Sequence, residues 1–352
     1  MRACVKTDMK KVAVVDVPTP EAGPGDIIVK TTLSTICGSD MHFLDEFPNE
    51  LLAGVYPHSK APEGLFMGHE AVGVVESVGE GVRRFKPGDR VISSCFTVCG
   101  GCPECQRGDH PFCSGGGSLL FGCQSDYFRI GHADASAAKV PAQLSDEQAI
   151  LATDIMSTGL AAVERAGGKI GDSVAIFAQG PVGLCATAGA RARGCGLIIA
   201  VDTIPERLEM SRRFGANIRI NAAEKDPVAE IASLTGGQGV DIAIEAVGTE
   251  KTFESCTQVV RRGGAVSSIG VYGITPQVSM ATMNPSFLHR HVITTLCPSG
   301  SNRLQALLNL IQHAAVDLSP LFTHRTRLEE IPAAYEHFRS KEGGVLKIAV
   351  TP

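Results

Sequence analysis

The chain has 352 residues, with 32 Lys and Arg against 37 Asp and Glu, a net charge of -5 and no long run of one sign, which excludes a nucleic-acid surface or a polyanionic tail. Two domains of ordinary size fit in that length. No segment approaches the roughly 18 uninterrupted apolar residues of a membrane helix, and the opening MRACVKTDMKK lacks a signal-like apolar core. The expectation is a cytoplasmic protein acting on a small molecule, with no membrane or nucleic-acid partner. Twelve cysteines in such a setting point to metal chemistry rather than disulfides.

From the start to about residue 157, short Val/Ile runs such as 27-IIVKT-31, 72-VGVVESV-78 and 90-RVISS-94 are broken by Gly and Pro. That pattern suggests a partly open β-barrel. Three stretches here carry chemistry: 37-CGSDMH-42, 68-GHE-70 and 153-TDIMSTG-159. Cys37, His69 and Asp154 offer a sulfur, an imidazole nitrogen and a carboxylate, a donor set that zinc accepts while keeping a fourth position open. Ser39, His42 and Glu70 stand beside them as proton-handling groups. Glu70 reads equally as a ligand or as a supporting carboxylate, and Asp40 as a partner for His69 or as a surface turn residue. The segment 43–66 between these stretches is rich in Pro and large apolar residues, so it is either a lid or a variable loop. Phe43, Leu44, Phe47 and Leu119 are candidate walls of an apolar pocket.

The run 99-CGGCPECQRGDHPFC-113 places Cys99, Cys102, Cys105 and Cys113 on one Gly-rich loop. Four thiolates close a tetrahedral zinc, leaving no room for substrate, so this reads as a structural site. An iron–sulfur reading fits less well, because a bacterial ferredoxin run continues x₃-C-P. Cys95, just outside the pattern, reads as a buried apolar residue.

From about residue 158 the pattern alternates apolar strand, glycine turn and helix, in 173-SVAIFAQG-180, 197-LIIAVD-202, 240-VDIAIEAVG-248 and 264-GAVSSIG-270. This is the signature of a doubly wound parallel sheet, and the α/β class follows. At 178-AQGPVG-183 glycines let backbone approach a pyrophosphate, although Ala178 stands where the first glycine of G-x-G-x-x-G is usual. Asp202 lies about 20 residues past Gly183, where an acid bonds a ribose hydroxyl; capping of the helix after it is the other reading. The remainder reads as a helix over 302–315 and a final strand over 345–350.

The stretch 68-GHEAVGVVESVGEGV-82, the C-x-S-x-x-H of 37–42, 86-KPGDRV-91 and 180-GPVG-183, in this order, resemble the zinc-dependent medium-chain alcohol dehydrogenases. Asp154, where many relatives carry Cys, is similar to the secondary-alcohol branch. The resemblance implies a GroES-like β-barrel catalytic domain over 1–157, a Rossmann domain over 158–297 and a return segment over 298–352. It implies hydride transfer between a primary or secondary alcohol and NAD, with two Zn²⁺ per chain. One would sit on Cys37, His69 and Asp154 with Glu70 nearby, the other on Cys99, Cys102, Cys105 and Cys113, and Ser39 and His42 would relay the proton. Thr158, Gly180, Pro181, Val182, Gly183, Asp202, Arg207, Val247, Val271 and Tyr272 would contact the cofactor, and the chain would form a homotetramer or homodimer. A polyol or amino-alcohol dehydrogenase of the same superfamily is the alternative; a zinc- and nucleotide-binding protein without turnover is a more distant one.

Overall fold

The computed structural model describes residues 1–273, 276–277, 289–313 and 316–352. They form two compact units, Met1–Ser157 with Cys297–Pro352, and Thr158–Leu296. Cys297 therefore falls in the first unit, one residue earlier than the sequence pattern places the return, because its thiol packs on the carbonyls of Thr153 and Asp154.

The first unit is built on the ten-residue strand Ile27–Ile36, whose β-branched residues suit a pleated, half-buried surface. The sheet runs Phe322–Arg327, Lys347–Thr351, Ile27–Ile36, Ala71–Val78, Arg90–Ser93 and Ala137–Lys139, with Tyr127–Ile130 also paired to Ile27–Ile36. Two register shifts against Ala71–Val78 bend the long strand, so its opposite ends reach different neighbours. Pairing of Ser34 with Ala71 has a direct consequence for the site. The chain leaves the strand at Cys37 beside the point where it enters the next one after His69 and Glu70.

A second sheet of four strands, ordered Lys11–Asp16, Arg2–Asp8, Gly64–Phe66 and Lys60–Ala61, receives the end of the 43–66 segment. The segment is thus a folded part of the unit, with a helix at Asn49–Val55. Lys6, fully buried, donates its ammonium hydrogens to the carbonyls of Phe43, at 2.8 Å, and Phe47. Leu44 is not a pocket wall: it packs in the core with Cys4, Ile36, Tyr335 and Ile348.

The second unit holds six parallel strands in the order Ile218–Asn221, Leu197–Asp202, Ser173–Phe177, Val240–Glu245, Val260–Ser268 and His291–Thr294. Each central strand buries both faces. Val174 and Ile176 enter one apolar cluster, Ala175 and Phe177 the other, which explains the unbroken apolar runs of the sequence. The strand order reverses on either side of Ser173–Phe177, the switch point where open α/β sheets bind ligands. The two edge strands escape sequence reading because they are short and only partly apolar. The late helix spans Ser301–Gln312; positions 314 and 315 of its expected range lie outside the described residues.

Candidate metal centres and dinucleotide turn

Cys37 caps the helix Gly38–Asp45, and its amide donates to Asp40 Oδ2 at 2.9 Å. Asp40 is no surface residue. It is 1 % exposed, accepts a second bond from Gln124 Nε2 at 3.2 Å and sets Oδ1 3.1 Å from His69 Nδ1. Tyr335 donates to Gln124 Oε1 at 2.9 Å, so a buried chain of polar groups runs from the return segment to the back of the imidazole. The front nitrogen, His69 Nε2, lies 3.3 Å from Asp154 Oδ2 and 3.2 Å from Ser39 Oγ. Cys37 Sγ is 3.6 Å from the same Asp154 oxygen.

These spacings suit zinc. Bond lengths of about 2.3 Å to sulfur and 2.0–2.1 Å to nitrogen or oxygen, at tetrahedral angles, put sulfur and oxygen about 3.5 Å apart and nitrogen and oxygen about 3.3 Å apart. Burial pushes the His69 imidazole down, but Asp40 behind it and Asp154 in front outweigh burial and hold it well above its ordinary value. Carboxylates on both sides of the imidazole favour a cation there, and a metal ion binding these donors would displace the proton.

Glu70 belongs to the same cluster, its donor atom within 4.8 Å of those of Cys37 and His69. Oε2 accepts from Thr35 Oγ1 and from the buried ammonium of Lys347. Oε1 is buried with no hydrogen-bond partner among the described residues. Ser39 and His42 lie one helical turn apart on a shared face, and His42 Nδ1 is 2.8 Å from Glu46 Oε1.

The four loop cysteines also converge, with Cys99 and Cys105 Sγ at 4.0 Å and Cys102 and Cys113 Sγ at 3.8 Å, against about 3.8 Å for sulfurs on one tetrahedral zinc. A Cβ on Gly115 would stand 2.3 Å from Cys99 Sγ, so this loop admits no side chain there. The Cys105 amide pulls Cys102 down to about 6, whereas burial and its thiol neighbours push Cys105 up to about 12. A lowered value favours the folded loop above the ordinary thiol range, and that contribution is lost as pH falls through about 6. Zinc release followed with a chromogenic chelator is expected to grow as pH falls from about 8 to about 4 and protons compete for the four thiolates, and Cys102→Ser should release it at neutral pH with loss of thermal stability. Equal zinc retention by both proteins across that range would remove the loop as a metal site.

At the dinucleotide turn, Ala178 adopts φ 79°, the left-handed conformation that glycine usually supplies. Gly180 is the N-cap of the helix Pro181–Ala192, so Pro181, Val182 and Gly183 form its first turn, where the Val182 and Gly183 amides can face an anion. A Cβ on Gly183 would stand 2.0 Å from the Ala178 carbonyl oxygen, and Gly183→Ala should weaken cofactor affinity by at least about 10-fold by displacing this turn. Fluorescence titration with the reduced cofactor checks it, and unchanged affinity would contradict it. Arg207 reaches the same turn, its Nη1 3.8 Å from the Cβ position of Gly180. Thr158 precedes Gly159, which packs against Val182 and Cys185.

Asp202 is 8 % exposed, and its carboxylate accepts from the amides of Gln179, Thr203 and Ile204. The N-cap of the following helix is Ile204, so Asp202 organises the loop before the helix rather than capping it. Val247 and Val271, 40 % and 38 % exposed, follow the carboxyl ends of two strands. The Tyr272 hydroxyl is engaged by Glu245 Oε2 and Ser268 Oγ, both at 2.8 Å.

Family models agree with both units: the alcohol dehydrogenase GroES-like domain matches residues 23–142 and the zinc-binding dehydrogenase domain residues 181–313. An alcohol dehydrogenase of Cupriavidus necator is 39 % identical over 100 % of this chain and 99 % of its own. The chain belongs to the zinc-dependent medium-chain alcohol dehydrogenase family. It is similar also to an NADP-dependent isopropanol dehydrogenase of Thermoanaerobacter brockii, 32 % identical over 99 % of each chain. Among solved structures, an alcohol dehydrogenase of Thermus sp. ATN1 superposes with a TM-score of 0.85 at 34 % identity, covering 100 % of this chain and 99 % of that one. This protein is therefore a zinc-dependent alcohol oxidoreductase, and among its described residues no helix is long and apolar enough to cross a membrane.

Cys297, Tyr56, Phe96 and Phe121, which sequence reading does not single out, stand beside residues that it does. Cys95 is buried, but its Sγ lies 3.7 Å from Asp154 Oδ1, and Cys297 joins it there. Around them, Leu119, Phe43, Tyr56, Phe96 and Phe121 form an apolar cluster. Phe43 meets the His69 ring edge-on at 6.3 Å and Phe121 at 5.7 Å, and Tyr56 meets Phe121 at 5.4 Å. The 43–66 segment supplies two of these rings.

Proposed function

We propose that the enzyme interconverts apolar primary or secondary alcohols and their aldehydes or ketones, with NAD as the hydride carrier. Cys37, His69 and Asp154 hold the catalytic zinc, with Glu70 Oε1 in reserve, and the four loop cysteines hold the second. Bound zinc supplies Lewis acidity and bound nicotinamide the hydride acceptor. Ser39 takes the hydroxyl proton, and His42, kept in orientation by Glu46, passes it towards solvent. Thr158, the helix turn 180–183, Val247, Val271, Tyr272 and Arg207 would hold the cofactor, with the Tyr272 hydroxyl kept by Glu245.

The apolar substrate class follows from the aromatic wall of Phe43, Tyr56 and Phe121. A polyol site needs paired polar groups; the polar side chains beside Phe121 are Tyr56 and His58, and His58 Nε2 is engaged by the Leu119 carbonyl at 2.7 Å. Assembly as a dimer or tetramer is supported by the edge strand His291–Thr294, where Val292 and nearby Leu296 are 45 % and 50 % exposed. Light scattering showing a monomer would remove it.

The observation that carries the cofactor reading is Asp202 at the end of the second strand, followed by Thr203 and Ile204 rather than by a cation. A 2′-phosphate meets a carboxylate there, whereas ribose hydroxyls donate to it. We expect kcat/KM to favour NAD⁺ over NADP⁺ by about 10- to 100-fold, the worth of a hydrogen bond to a charged group. Asp202→Gly with Ile204→Arg should shift preference towards NADP⁺, at a cost in stability because three amides lose their acceptor. Faster turnover of wild type with NADP⁺ would confine Asp202 to holding its loop.

A further inference from the structure

The Asp154 carboxylate is divided between two donor sets. Oδ2 faces Cys37 Sγ at 3.6 Å and His69 Nε2 at 3.3 Å, while Oδ1 faces Cys95 Sγ at 3.7 Å. Cys297 completes the second set: donor atoms of Cys95, Asp154 and Cys297 all lie within 4.8 Å of one another. The three side chains are fixed to one piece of backbone. Cys95 N donates to Thr153 O at 3.1 Å, and Cys297 Sγ sits 3.9 Å from Thr153 O and 3.7 Å from Asp154 O. Both thiols are buried, 2 % and 4 % exposed, so no long side chain has to be ordered when an ion enters.

We propose that Cys95, Asp154 and Cys297 form a third cation site, for a thiophilic divalent ion such as Zn²⁺ or Cd²⁺, and that filling it inhibits alcohol turnover. The 3.7 Å between sulfur and carboxylate oxygen is close to the roughly 3.5 Å that one tetrahedral zinc imposes. Two sulfurs and one oxygen select soft ions over Mg²⁺ or Ca²⁺, which take oxygen ligands. Inhibition has two sources. An ion here draws on the carboxylate that also serves the Cys37 and His69 set, and it places charge among Leu119, Phe43, Tyr56, Phe96 and Phe121, where the apolar part of the alcohol would pack. The inhibitory half rests on Asp154 being a ligand of the catalytic ion; cation binding by Cys95 and Cys297 does not.

The test uses zinc-loaded enzyme, dialysed against rising free Zn²⁺ or Cd²⁺, with metal counted by mass spectrometry and cadmium–thiolate bonds read from their ultraviolet charge-transfer band. Wild type should take up one equivalent more than its resident zinc, with turnover falling along the same isotherm. Cys95→Ser, which keeps the side-chain volume nearly unchanged, and Cys297→Ala should each weaken that equivalent by more than the roughly 10- to 100-fold that loss of a ligand's supporting partner costs. No additional equivalent in wild type, or one that neither substitution weakens, overturns the site. An additional equivalent that leaves turnover unchanged overturns the inhibitory half. A failed catalytic assignment shows differently, as resident zinc content unchanged by Asp154→Ala.

Discussion

Ser39→Ala is expected to lower kcat/KM for alcohol oxidation by about 10²- to 10⁴-fold, the usual worth of a positioned acid–base group, with metal content and cofactor affinity unchanged. The hydroxyl lies 3.2 Å from His69 Nε2, the nitrogen that faces Asp154, so it stands beside the donors that would hold the catalytic zinc. The substitution should not disturb the fold. Ser39 sits in the first turn of the helix Gly38–Asp45, where Ala is at least as good a helix former, and the Cys37–Asp40 cap does not involve its side chain. His42→Ala should cost less, because its ring is 28 % exposed and water can replace the second step. The measurement is kcat/KM against pH for both variants, alongside zinc analysis. A Ser39→Ala enzyme that keeps the wild-type rate across the pH range sinks the relay.

What the sequence discloses here is local chemistry, and what it conceals is who stands behind it. Cys99, Cys102, Cys105 and Cys113 are legible because a metal loop is a short-range object whose spacing is its geometry. Cys37, His69 and Asp154 are legible through motif context, although their meeting depends on the Ser34–Ala71 register. The supporting groups have no such signature. Lys347 meets Glu70 across 277 positions and Tyr335 meets Gln124 across 211, contacts that only the paired strands and the returning C-terminal segment create. Cys95 reads as apolar filler in sequence, and its burial bears that out; what sequence cannot show is that it and Cys297 stand beside a carboxylate. The 43–66 segment is legible as a Pro-rich apolar stretch, whereas its anchoring on the buried ammonium of Lys6 is not, since a Lys normally points to water.

Lys347→Met should be the most destabilising single substitution in the first unit, by about 3–5 kcal/mol, because it strands a buried carboxylate. Lys347 and Glu70 are each 1 % exposed, and the ammonium contacts Glu70 Oε2 directly. Methionine keeps the length and apolar stem while removing the charge, leaving Thr35 as the other donor to that oxygen. Burial alone would push the Lys347 ammonium down, but Glu70 and the neighbouring Cys37 and Asp154 outweigh it and raise its value. A raised value means that the contribution is complete below the ordinary lysine value of 10.5 and lost only as pH climbs beyond it. The loss in the variant should therefore be the same anywhere between about pH 6 and 9. Pairing the change with Glu70→Gln separates the stranded charge from lost packing. If the pair matters as a pair, the double variant should recover most of the stability, and the coupling in a double-mutant cycle should exceed about 2 kcal/mol. Activity should not return with it, since the Glu70 carboxylate lies within 4.8 Å of the Cys37 and His69 donors and an amide in its place is a poorer metal partner. Chemical denaturation of the four proteins reads the stability and steady-state kinetics the activity. Additive losses in the cycle would show Lys347 to be packing alone, and would leave the orientation of Glu70 to the strand that carries it.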